Sequence, residues 1–119
     1  MALRSKRVYE GAEASDGYRV LIDRLWPRGV SKERARIDEW ARELAPSSEL
    51  RRWFGHDPDK FEEFRRRYLV ELRAHKDQLA DLRRRARIAR VTLVYGARDT
   101  QHNDAVVLVE LLRKGGRDR

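Results

Sequence analysis

The sequence predicts an α/β domain of three layers, with a small, mainly parallel β-sheet flanked by helices. Two apolar runs, Val20-Leu21-Ile22 and Val91 to Tyr95, lack polar alternation, as strands buried on both faces do. Between and after them the apolar spacing turns helical. Strand, helices, strand, helix is the order of a parallel βαβ sheet. Each run also stops abruptly in a polar cluster, Asp23-Arg24 after the first and Gly96 to Gln101 after the second.

The 119 residues fit a single domain. Residues 1–5 read as a frayed end and 116–119 as a flexible tail, and Arg7-Val8-Tyr9 is a candidate short strand. Ser15-Asp16-Gly17 supplies turn chemistry before a strand over Tyr18 to Leu25, which Pro27 and Gly29 end. Its two faces are Val20 with Ile22 and Leu21 with Leu25. Ile37, Trp40, Ala41 and Leu44 fall at i, i+3, i+4 and i+7, which predicts a helix between Ser31 and Ala45, capped by Ser31 or Asp38. Pro46 stops it, and Ser47 caps a short helix that closes at Gly55.

Asp57-Pro58 is a helix start, with aspartate as cap and proline at the first position. Phe61, Phe64, Tyr68 and Leu72 mark one face, and Leu79, Leu82 and Ala86 continue it. Unbroken from 58 to 87, such a helix would run about 45 Å, too long for the domain, so a break is expected near His75. After the second strand a helix from about His102 to Lys114 presents Ala105, Val106, Leu108, Val109 and Leu112, and Gly115 ends it.

Charged residues make up 40% of the chain, against about 25% in ordinary domains, and the net charge is +8. Residues 58–90 carry eleven basic and six acidic side chains, so most of the excess lies on the central helical stretch. A basic surface attracts polyanions and acidic membranes alike. No run approaches the length of a membrane span, no secretory signal is evident, and the chain has no cysteine. Cytoplasmic residence without membrane contact is the expectation. Disulfides, thiol nucleophiles and thiolate metal sites are excluded.

If the two strands run parallel, their carboxyl ends share one edge of the sheet, where open α/β folds bind ligands. The expected pocket takes Asp23, Arg24, Trp26, Arg28 and Lys32 from one loop, and Tyr95, Asp99, His102 and Asn103 from the other. Arginine forks and a lysine charge suit phosphate or carboxylate oxygens, and amides opening the helix near His102 add donors. His102 beside Asp99 is a candidate acid–base pair. The alternative is a purely structural rim of ion pairs. The three histidines, His56, His75 and His102, show no metal-ligand spacing, and no GxGxxG, P-loop or GxSxG element is present. No metal is expected, and no cofactor is specified. The expected partner is a small anionic ligand, phosphorylated or nucleotide-like. Nucleic acid bound through the arginine-rich stretch 58–90 is the alternative, set against a solvated face with pairs Glu62–Arg66, Glu63–Arg67 and Asp81–Arg85.

The blocks DGYRVLIDRLWPRGVSK, DEWARELAPSSELRRWFGHDP, FEEFRRRYLVEL and VTLVYGARDTQHNDAVVL, in that order, resemble the YeaO-like bacterial family, a domain of unknown function. The likeness spans about residues 7 to 113. It implies a small cytosolic α/β protein with no established activity. Recurring family positions fall on Asp23, Arg24, Trp26, Arg28, Lys32, Trp40, His56, Tyr95, Asp99, His102 and Asn103, among others. Related branches carry a cysteine motif near the second strand. Here that stretch is LVYGARDTQHN, without cysteine, so if thiol chemistry operates in those branches it cannot operate in this chain.

Overall fold

A computed structural model describes residues 1–115. Four strands form one sheet: β1 (Leu3–Arg7), β2 (Tyr18–Leu21), β3 (Glu39–Trp40) and β4 (Val91–Tyr95), in the order β1-β4-β2-β3, every pair parallel. The helices are α1 (Lys32–Ala35), α2 (Ser48–Phe54), α3 (Phe61–Leu72), α4 (Lys76–Ile88) and α5 (Asp104–Gly115). The α/β class with a parallel sheet is therefore as the sequence predicts. Flexibility over 116–119 concerns residues outside those described.

The two faces of the sheet are covered unequally. Val20, Ile22, Val91, Leu93 and Tyr95 join the larger core, which is completed by α2 to α5 through Phe54, Phe64, Tyr68, Leu82 and Leu108. Leu21 and Val94 point the other way and meet Val8 and Ala35, with Trp26, Ile37 and Trp40 packed around them. That second layer is thin, made of α1, short turns and loop. β4 is buried along its whole length, which is why its sequence shows no alternation.

Several local expectations are corrected. Residues 3–7 form an edge strand, not a frayed end. Leu3 is buried, Arg113 Nη2 donates to its carbonyl at 2.9 Å, and Val8 to Glu10 is a 3₁₀ turn where Arg7 to Tyr9 was expected to be extended. The first central strand stops at Leu21, and Leu25 is 59% exposed. The helix expected over Ser31 to Ala45 is only α1, capped by Ser31 and ended by Arg36 in the left-handed region at φ 49°. Beyond it the chain extends into β3, and Asp38 accepts the Arg19 amide at 2.8 Å instead of capping a helix. The break near His75 is present as a 3₁₀ turn over Arg73–His75. Glu63 pairs with Arg67 as expected, but Glu62 meets Arg65, and Asp81 meets Arg84, at one residue's shorter spacing.

At the amino end of the sheet, Asp16 lies fully buried under three cations. Arg4 reaches it at 2.5 Å, Arg19 at 2.6 Å and Lys6 at 3.2 Å. The Glu13 amide donates to its carboxylate at 3.0 Å. Gly17 follows because its φ is +66° and a Cβ there would collide with the Arg90 carbonyl, which accepts the Tyr18 amide at the start of β2.

Candidate functional site

The chain leaves β2 toward α1 on the thin face and leaves β4 toward α5 on the helical face. Neighbouring parallel strands whose continuations part in this way open a crevice between their carboxyl ends. Asp23 stands at its centre. Its Oδ2 accepts the Gly96 amide at 2.8 Å, tying the loop after β2 to the loop after β4. Its carbonyl accepts the Trp40 indole N–H at 2.8 Å, tying in β3. Gly96 leaves room for this contact, since a Cβ there would sit 3.2 Å from Asp23 Oδ2. Gly96→Ala is expected to push Asp23 aside and cost about 1 kcal/mol, read from the urea midpoint. An unchanged midpoint would show that the carboxylate yields freely.

The crevice widens into a cleft of about 470 Å³. Asp23, Arg24, Trp26, Pro27 and Arg28 line it from the first loop, and Gly96, Ala97, Asn103 and Asp104 from the second. A third wall comes from Pro46, Arg51, Phe54, His56 and Phe64, and Tyr9 closes one side. Phe54 and Phe64 are stacked with centroids 4.3 Å apart, so this wall is rigid and continuous with the core. Arg24 is steered by the chain rather than by an acid: its Nε donates to the Pro46 carbonyl at 3.2 Å. Among the described residues, no carboxylate forms an ion pair with Arg24, Arg28 or Arg51. His56 follows the helix-closing Gly55 and is itself held at φ 57°, a conformation uncommon outside glycine.

The floor is acidic. Asp23 and Asp104 stand side by side, so that a single proton shared between them relieves the repulsion of two buried carboxylates. Burial pushes both carboxyls up. Asp104 rises well above the ordinary range, through burial first and then the Asp23 charge beside it. On Asp23 the Gly96 amide, Asp104 itself, and the nearby Arg51 and His56 pull back against burial.

Five of the residues expected from the sequence line this cleft: Asp23, Arg24, Trp26, Arg28 and Asn103. Lys32, Tyr95, Asp99 and His102 do not line it. Lys32 starts α1 on the thin face, exposed to solvent. Tyr95 is buried in the core. His102 turns its Nδ1 to Asp99 Oδ2 at 2.9 Å and its ring packs nearly perpendicular to Phe61, while Asp99 also accepts the Gln101 and His102 amides. This pair folds the loop before α5. Asn103 caps that helix, accepting the Val106 amide at 3.0 Å and donating to the Asp99 carbonyl at 2.8 Å. The first free amides of α5 face the Asp104 carboxyl, so an incoming anion meets the arginine rim and not the helix end.

Among the charged and titratable lining residues, Asp104, Arg51 and His56 were not placed in the pocket by sequence reasoning. An acid at the first position of a helix and an arginine in a short surface helix carry no distinguishing signal. Among the described residues, no group of three or more His, Cys, Asp or Glu side chains is placed to hold a metal ion. The arginines of α3 and α4 are largely engaged within the protein. Arg65 pairs with Glu110, Arg66 and Arg67 with Glu63, and Arg84 with Asp81; Arg85 lies 3.9 Å over Tyr18. No helix among the described residues is long and apolar enough to cross a membrane.

Fold and cleft together define a small parallel α/β domain with a mixed-charge crevice at the carboxyl edge of its sheet. The chain belongs to the family described as the inactive DUF488-N3 subclade, whose model matches residues 2–118. It is 46% identical to the uncharacterized protein YeaO of Escherichia coli (strain K12) over 116 residues, covering 95% of this chain and 98% of that protein. Uncharacterized proteins of Mycobacterium tuberculosis and Mycobacterium bovis are 43% identical over 110 residues, covering 92% of each chain. No solved structure matches the chain.

Proposed function

We propose that this protein binds a small anionic ligand, phosphorylated or nucleotide-like, in the cleft between the loops after β2 and β4, without turning it over. The observation that carries this reading is the set of three arginines, Arg24, Arg28 and Arg51, lining one cleft with no carboxylate partner among the described residues. Unpaired guanidinium groups beside low-dielectric aromatic walls attract phosphate or carboxylate oxygens and hold them in forks. Binding without turnover is supported by the family's description as inactive. In this reading His102 and Asp99 shape the loop rather than move protons. Cytoplasmic residence accompanies the proposal, since the chain has no cysteine and no candidate membrane helix among the described residues.

The test is a thermal-shift screen with phosphorylated sugars, nucleotides and inorganic phosphate, followed by titration of the strongest hit. An Arg24→Ala, Arg51→Ala double variant is expected to bind that hit at least about fivefold more weakly. Stabilisation by none of the compounds, or equal affinity in the double variant, would remove the cleft from consideration as an anion site.

A further inference from the structure

The cleft has two chemically opposite ends, and that polarity says more about its ligand than the arginines alone. At the rim stand Arg24, Arg28 and Arg51; at the floor stand Asp23 and Asp104, and the aromatic pair Phe54 and Phe64 walls the space between. We infer that the ligand is a phosphate ester whose body carries hydroxyl or N–H donors, the phosphate lying on the arginines and the donors on the Asp23–Asp104 carboxyl pair. This rests on the anion-binding reading above and narrows it.

The floor excludes simpler occupants. One oxygen of Asp23 accepts the Gly96 amide, the first amides of α5 face the Asp104 carboxyl, and the two carboxyls stand side by side. No lysine or arginine forms an ion pair with either carboxyl among the described residues. A carboxyl pair offers more acceptor sites than these contacts use, and since both groups line the cleft, water or a ligand there can take the rest. A phosphate group seated there would meet like charge, which keeps it at the rim. A lone phosphate ion at the rim leaves most of a 470 Å³ space to water. An ester with an apolar body would fill that space but strand the acceptors, and sites built around hydrogen bonds reject analogues that lack the matching donor. A sugar-like or nucleoside-like body meets both demands, with hydroxyl or N–H groups directed to the floor and a flat or ring-shaped face against Phe54.

Calorimetric titration of the whole protein with ribose 5-phosphate, ethyl phosphate and inorganic phosphate separates these cases. Ribose 5-phosphate is expected to bind about tenfold or more tightly than ethyl phosphate, since hydrogen bonds to charged acceptors discriminate on that scale. In Asp23→Asn, which keeps the shape but replaces the charged acceptor with a neutral amide, the preference should shrink to less than about threefold, with ethyl phosphate bound no more weakly than by the native protein. Equal binding of the two esters by the native protein would overturn the donor-bearing body while leaving the anion site standing. So would an Asp23→Asn variant that weakens both esters alike. Failure of all three phosphates to bind would overturn the site and this inference together.

Discussion

Asp16→Asn is expected to destabilise the protein by about 3–5 kcal/mol, the usual result of removing one partner from a buried ionic cluster. The carboxylate lies fully buried between Arg4, Lys6 and Arg19, and the variant would leave three cations facing a neutral amide. Arg19 has no slack to absorb the change: its Nε is bound to the Ala35 carbonyl, and its Nη2 is already buried without a partner. The same cluster predicts an acid limb. Burial pushes the Asp16 carboxyl up, but the Glu13 amide, Lys6 and Arg19 outweigh burial and hold it at about 2, below its ordinary 3.8. A depressed carboxyl stabilises the fold above its unfolded value. The native protein should therefore lose about 2 kcal/mol from this group as pH falls from about 4 toward 2. Urea midpoints at pH 7 and across that window check both statements. The variant should be weaker at neutral pH and lack that component of the acid loss. A variant within about 1 kcal/mol of native at pH 7 would mean that the cations are solvated after all.

That cluster also explains which parts of the fold hydropathy conceals. β2 and β4 were legible because both of their faces are buried, and unalternating apolar runs have few other readings. β1 was not, since Arg4 and Lys6 occupy it, and Asp16 and Glu13, brought in by the turn before β2, allow those charges to lie along the sheet. β3 was mistaken for helix for a different reason. Ile37 and Trp40 serve the small core while Ala41 and Leu44 serve the large one, so residues facing two cores imitate one helical stripe. The stop is Arg36 in a left-handed turn, where no glycine announces it. For the cleft, parallel strands alone sufficed to bring the two loops together, and the Asp23-to-Gly96 bond joins them. Which side chains face inward depended on a third segment. Arg51 and His56 arrive from α2 and its end, and Asp104 looks in sequence like an ordinary acid at a helix start.

Asp104→Asn is expected to raise stability at neutral pH by about 1–2 kcal/mol, a rise in Tm of several degrees for a domain of this size. The native residue folds at a disadvantage. Burial, and then the charge of Asp23, lift its carboxyl well above 3.8, whereas the unfolded chain ionises there freely. A raised carboxyl binds a proton in the folded state that unfolding releases, so its contribution to stability falls as pH rises above about 4. Asparagine donates to Asp23 with the same shape and has no proton to release. The gain should accordingly be small near pH 4.5 and larger at pH 8, where native and variant profiles diverge. Asp23 must be followed in the same experiment, because the two groups titrate as a pair and the amide removes its like-charged neighbour. Asp104→Leu supplies the contrast: it also removes the charge but strands Asp23, and it should destabilise. An Asp104→Asn variant less stable than native at pH 8 would show that the carboxyls are solvated and separately ionised. If instead it is more stable, this chain keeps an acid where a neutral amide folds better, as residues retained for binding do.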